Sequence, residues 1–315
     1  MKHTVSLILG QQWAGDHVMI DSLLQPFQYE FFTRGIAVAI MVGAACGILG
    51  VYIILRGLSY IGHGVSHAVF GGAVVSYIIN INLYIGAALW GFLSVFLINE
   101  ISRRSKIKAD AAIGVVTTAG FAVGVLLIST TRSFTRNFEA ILFGNILGIT
   151  DQDLLMIFAA SVITALFVIF FHKRLIFTIF DKETAKVYGV KTEHVETIFS
   201  LVLATVVIAS MSAIGVTLLA AAIVAPAVSA RMLTNNFQRM ILISTVIGAI
   251  TSFAGMYASF YLDSASGATI VLFSAAAFGM SALYSFLRRK YHTHSHAGMI
   301  HAHAHSHTAE HRHEH

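Results

Sequence analysis

Charge is what this sequence has least of. Asp, Glu, Lys and Arg make up 11% of its 315 residues and hydrophobic residues 57%, whereas a soluble globular domain carries about 25% charged residues. That shortage excludes an ordinary water-soluble globule and makes a bilayer the main solvent. The chain holds one cysteine, Cys46, which excludes an intrachain disulfide and any thiolate cluster for zinc or iron. No Gly is followed by Lys anywhere, so there is no phosphate-binding P-loop, and ATP hydrolysis would have to reside on another chain. Asp181-Lys182-Glu183-Thr184 opens like the phosphorylated motif of P-type pumps, but it lacks that motif's order and any soluble catalytic domain around it. The first thirty residues contain Asp16, Asp21 and Glu30 and no continuous apolar core, so no cleavable signal peptide is expected. No basic groove is interleaved with aromatics, which leaves nucleic acid out as a partner.

What the chain has instead is charge-free length. Residues 35–55, 57–99, 111–131, 154–172, 197–230, 240–262 and 264–287 contain no Asp, Glu, Lys or Arg, and a bilayer-spanning helix needs roughly 20 apolar residues. The stretch 57–99 holds two spans turning at Asn80-Ile81-Asn82. The stretch 197–230 would be about 51 Å long as one helix, too long for one crossing. A break near residues 212–215 resolves it. Basic clusters at Arg103, Arg104, Lys106 and Lys108, at residues 173–191, at Arg231 and Arg239, and at Arg288, Arg289 and Lys290 then all fall on the cytoplasmic side. The expected class is an all-α, polytopic helical membrane protein with eight or nine transmembrane helices. Residues 1–32 read as an N-terminal amphipathic segment, 33–288 as the transmembrane domain, and 289–315 as a His-rich cytoplasmic tail. Within the second, residues 180–196 form a charged cytoplasmic segment. Residues 140–150 are too few to span and are expected to pack as a short helix near the outer face, with Arg132 and Arg136 beside them.

Two groups of histidines stand out. In Gly62-His63-Gly64-Val65-Ser66-His67 two imidazoles sit four residues apart, hence one helical turn apart on one face, where both can reach one cation. The same pair could instead hydrogen-bond neighbouring helices packed close by Gly62, Gly64, Gly71 and Gly72. Ionisable groups inside a membrane are costly and usually face a bundle interior or watery path. Gly64-Val65-Ser66 also loosely resembles the surroundings of a serine nucleophile. Ser66 and His67, however, diverge by about 100° on a helix, and the only other histidine near a span is His172. The second group is the tail, with His292, His294, His296, His301, His303, His305, His307, His311, His313 and His315. Neutral imidazoles suit zinc, copper and nickel. A flexible chain of them would bind such ions loosely and at several stoichiometries, and a solvated tail without a role is the other reading.

Over most of residues 25–287 the chain resembles the membrane permeases of ATP-binding-cassette (ABC) importers for manganese and zinc. The resemblance is carried by Arg56-Gly57-Leu58-Ser59, Gly62 and Ser66-His67-Ala68-Val69 entering the second span, and by Asp110-Ala111-Ala112-Ile113-Gly114-Val115 opening the fourth. Ile141-Leu142-Phe143-Gly144-Asn145-Ile146-Leu147 with Asp151-Gln152-Asp153 is similar to the manganese-importing branch. Gly215-Val216, Leu218, Pro226-Ala227 and Ala230 resemble the family's small-residue helix. Phe180, Asp181, Glu183, Ala185, Gly189 and Val190 resemble the cytoplasmic coupling helix that transmits closure of the ATPase dimer.

The resemblance implies a non-enzymatic subunit in the bacterial cytoplasmic membrane, embedded in lipid as a pair of permease copies. It implies two ABC ATPase subunits inside and an extracytoplasmic metal-binding solute receptor outside. It also implies no permanently bound cofactor, the zinc or manganese ion being cargo, contacted by His63 and His67. Two positions depart from the family. His63 stands where the family usually has Asp, which replaces a hard carboxylate by a borderline nitrogen and moves preference toward zinc or another later ion. Lys182 stands where Pro is common. An ATPase-independent metal carrier, and a membrane metal sensor or buffer acting through the tail, are the alternative functions.

Overall fold

The structure, a computed structural model, describes residues 24–58, 60–104, 109–131, 141–296 and 299–304. Ser59, Lys106, Lys108, Arg132, Arg136 and the histidines from His305 onward lie outside the described residues, as does most of the expected N-terminal segment. In chain order the helices are α1 (Glu30–Leu55), α2 (Ile61–Ile78), α3 (Leu83–Arg104), α4 (Ala109–Thr131), α5 (Asp151–Phe180), the short α6 (Lys182–Val187), α7 (Thr192–Ile214), α8 (Val216–Leu233), α9 (Phe237–Leu262) and α10 (Ser266–Lys290). Eight of them are long and apolar enough to cross a membrane. The long helix outside that set is α2, whose His63, His67 and glycines dilute an otherwise apolar sequence. The first helix begins at Glu30, so the boundary expected after residue 32 falls inside it.

Helices are the form that satisfies every backbone N–H and C=O without water, and the places where they break have local causes. The turn at 80–82 is confirmed by Asn80 at φ 56°, and the expected break near 212–215 falls at Gly215, whose φ of 90° suits a residue without Cβ. Gly215 ends α7 and starts α8, so two shorter helices replace the over-long one. Residues 146–148 form a single 3-10 turn, with Ile146 buried, in the segment expected to pack without spanning.

Inside the bundle, α1 and α7 are the central pair, with 67% and 72% of their apolar windows buried against 17% for α10. α1 packs on α9, α8 and α5, and α2 packs on α3, α4, α8 and α7. Lipid supplies no hydrophobic force between helices, so contact depends on small residues that let backbones approach. Gly43 of α1 meets Gly248 of α9, Gly71 of α2 meets Gly120 of α4, and Gly72 meets Gly86 of α3. Ser244 adds a hydrogen bond to the Gly47 carbonyl at 2.6 Å. α2, thirteen of whose eighteen residues are buried, is thereby held on several sides.

Past α10 the described residues pair as a short ribbon, with β1 (Tyr291–His296) antiparallel to β2 (Met299–Ala304). The alternation of His with small residues has the period-two pattern of a strand, and the two runs are separated by the pair Ala297-Gly298, a length that hairpins favour.

Candidate functional site

The buried face of α2 carries its glycines and small apolar residues into the bundle, and its opposite edge carries the histidines. His63 is exposed and His67 half-buried. Their Nε2 atoms are 3.1 Å apart and their rings meet edge to face at 4.3 Å between centroids. The i, i+4 spacing of the sequence therefore gives convergent nitrogens. The ring of His67 is braced at 4.8 Å by Phe121 of α4, and its Nδ1 is buried without a hydrogen-bond partner. Both imidazoles line a cavity of about 510 Å³ between α2 and α4, which Tyr60, Asp110, Thr117 and Phe121 also line. Gly64, between the two histidines on the helix, keeps this wall low. A Cβ there would lie 2.6 Å from Ile113 and 2.8 Å from Thr117.

The chemistry available is that of a two-nitrogen ligand pair. Two ligands about 2.0–2.1 Å from a tetrahedral cation stand about 3.3 Å apart, close to the separation present. Among the described residues no group of three or more His, Cys, Asp or Glu could hold a metal ion. The likeness of Gly64-Val65-Ser66 to the surroundings of a serine nucleophile has no geometric basis. Ser66 is fully buried and donates to the Gly62 carbonyl at 2.8 Å, while His172 lies beside Tyr52 with Nδ1 3.4 Å from its hydroxyl.

Asp110 in the same cavity was not singled out as a site residue by sequence reasoning, which used it only as a motif position. Its signal was present, an acid opening a charge-free run, but its partner helix lies more than forty residues earlier. A polar cluster at the opposite end of the bundle was also missed. The hydroxyl of Tyr84 (α3) donates to buried Asp153 (α5), and its oxygen lies 3.1 Å from the hydroxyl of Ser212 (α7). Asp153 also closes a capping box with Thr150, accepting from its backbone N–H at 2.9 Å and its hydroxyl at 2.7 Å.

At the basic end, Asp181 caps α6 by accepting from the Thr184 N–H at 2.9 Å, and those bonds hold its carboxyl below the usual carboxylate range. The cap forms with Lys182 where the family often has Pro. Of the residues expected to couple to an ATPase, Phe180 and Glu183 are exposed, Gly189 turns the chain with φ 79°, and Val190 is half-buried. Ala185 is fully buried and anchors α6 rather than presenting a surface. Val187 and Tyr188, 85% and 75% exposed, form an apolar face that the motif reading did not pick out. Glu196 on α7 accepts ion pairs from Arg56 and from Lys182, each at 2.9 Å. It thus ties the loop entering α2 to the helix-capping segment of α6.

The chain matches the family described as "ABC 3 transport family" over residues 28–285. It is 34% identical to the manganese transport system membrane protein MntC of Halalkalibacterium halodurans, over 83% of this chain and 89% of that one. It is 33% identical to a probable iron transport system membrane protein of Haemophilus influenzae, over 85% of this chain and 94% of that one. Among solved structures it is similar to PsaBC from Streptococcus pneumoniae in complex with Fab, with a TM-score of 0.75 and 33% identity over 83% of this chain and 95% of that one. With the match running through nearly the whole helical bundle, the chain belongs to the ABC 3 transport family.

Proposed function

We propose that this chain is the permease subunit of an ABC importer that moves a divalent transition metal into the cytoplasm, with His63 and His67 as ion contacts. The observation that carries the reading is the pair of imidazole nitrogens 3.1 Å apart on a charge-free helix, opening into a cavity. In this reading the ion is cargo. It arrives from an extracytoplasmic receptor, replaces the contact between the two rings, and leaves toward the basic end when the path reopens inward. The exposed edge of α2 and α4 at the cavity suits a second copy of the chain, whose own pair would complete the coordination. ATP is bound and split on separate ATPase subunits, which dock on Phe180, Glu183, Val187 and Tyr188. Their closure reaches α2 through Lys182, Glu196 and Arg56.

Two nitrogen donors without a carboxylate favour later first-row ions over manganese. Family relatives bear names of manganese and iron systems, so the preference expected here is a property of His63 rather than of the fold. The test is ATPase stimulation of the assembled complex by zinc and by manganese, with wild type beside His63→Asp. Stronger stimulation by zinc in wild type, moving toward manganese in the variant, supports the assignment. Identical ion profiles for the two proteins remove it.

A further inference from the structure

Two basic clusters stand at the same end of the bundle, and they differ in what answers their charge. Around α6, Arg56 and Lys182 pair with Glu196, Lys186 with Glu183, and Arg103 with Glu193. Around the turn between α8 and α9 the charge has no such answer. Arg231 lies in the last turn of α8, Arg239 in the first turn of α9 and Arg288 in the last turn of α10. The sequence places no carboxylate between Glu196 and Asp263, nor between Asp263 and Glu310, and Asp263 caps the far end of α9. Among the described residues none of these three arginines enters an ion pair, and Arg231 donates to the neutral side chain of Asn235 at 3.4 Å. All three line one cavity of about 480 Å³ where α8, α9 and α10 meet, with Thr234, Asn235 and Ser285 adding hydroxyl and amide groups to its wall. The positive-inside rule explains why basic residues lie at this end. It asks for charge in the loops, not for three arginines around one cavity. Like charges gathered without a counterion repel one another, and an anion in their midst turns that repulsion into attraction.

We propose that this cavity binds the phosphate of an anionic phospholipid headgroup, at a site separate from the transport path and from α6. Guanidinium forks match phosphate oxygens two at a time, and basic pockets between membrane helices on the cytoplasmic side suit such headgroups. A free phosphate offers the same oxyanion chemistry, so the surroundings decide the source. α10 is the least buried of the eight apolar spans, with 17% of its window inside the bundle. Leu283, Phe286 and Leu287, on its final turns before Arg288, are exposed apolar side chains. Acyl chains can therefore lie along α10 while the headgroup sits in the cavity. None of the cavity's residues lines the space beside His63 and His67, so the site does not rest on the metal-import reading.

The test is native mass spectrometry of the full chain, titrated in detergent with phosphatidylglycerol, with phosphatidylcholine and with inorganic phosphate. The expected result is one phosphatidylglycerol held at least about tenfold more tightly than phosphatidylcholine, since each basic side chain near an anionic lipid contributes about a factor of five. Replacing Arg231, Arg239 and Arg288 together by Gln removes that preference. Lysine at the same three positions keeps the charge without the fork and retains part of it. A charge-matched control, Lys173→Gln with Arg174→Gln and Lys191→Gln, leaves the preference in place, and so does His63→Ala with His67→Ala. Inorganic phosphate in large excess leaves the lipid bound. Equal retention of the two lipids by wild type overturns the proposal, as does an equal loss in the charge-matched control. Displacement of the lipid by inorganic phosphate overturns it too, by making free phosphate the occupant. Loss of uptake in the His63 and His67 variant with the lipid preference intact bears on the transport reading alone.

Discussion

At the residue scale the proposed path rests on His63, His67 and the small residue between them. Gly64→Leu would push a branched side chain onto Ile113 and Thr117, where even a Cβ is within 2.8 Å of the threonine. We expect that variant to fill the cavity and abolish uptake while reaching the membrane. A Gly64→Leu protein that transports normally contradicts the cavity as path. Ser66→Ala is the opposite case. Its hydroxyl returns a hydrogen bond to its own helix, so removal should cost no more than about 1 kcal/mol and leave uptake within about twofold of wild type. The histidine pair was legible because i, i+4 spacing is a local property of the chain. Asp110 and Phe121 were not legible as its neighbours, because the pairing of α2 with α4 depends on glycine contacts that periodicity does not encode.

At the element scale two devices organise the bundle. The first is the turn at Gly215, where a positive φ separates α7 from α8. Gly215→Val combines a disfavoured backbone with contact against Gly144 and Phe143. It should lower the melting temperature by several degrees, corresponding to about 1–3 kcal/mol, in a detergent thermal-shift measurement. The second is the cap of α6. Asp181 has a carboxyl held below its ordinary range, so the capped form is favoured above the unfolded value of about 3.9 and is lost as pH falls through the lowered folded value. Coupling through α6 should therefore be insensitive to pH between about 5 and 8 as far as this cap is concerned. Asp181→Ala should reduce transported ions per ATP across that whole range. A coupling ratio unchanged by the substitution would show that the cap is dispensable. Charge-free runs disclosed these helices, and the over-long run 197–230 disclosed its own break. The burial of Ala185 and the bridge from Glu196 to Arg56 stayed hidden, because a motif marks which residues occur together and not which of them face inward.

At the scale of the whole molecule, a central pair of helices and a glycine-packed α2 leave one histidine-bearing edge open beside α4, with a charged capped segment at the basic end. Composition was enough for membrane embedding, and the match over residues 28–285 gives the family. Direction, partners and ion are the proposed part. They meet in one assay, ATP-driven uptake of ⁶⁵Zn²⁺ into proteoliposomes holding the permease, its ATPase and its receptor, with wild type compared to His63→Ala and His67→Ala. The account predicts saturable uptake by wild type and a loss of at least about tenfold in each variant, the order expected when a group that orients or binds a metal is removed. Undiminished uptake in both variants would contradict it.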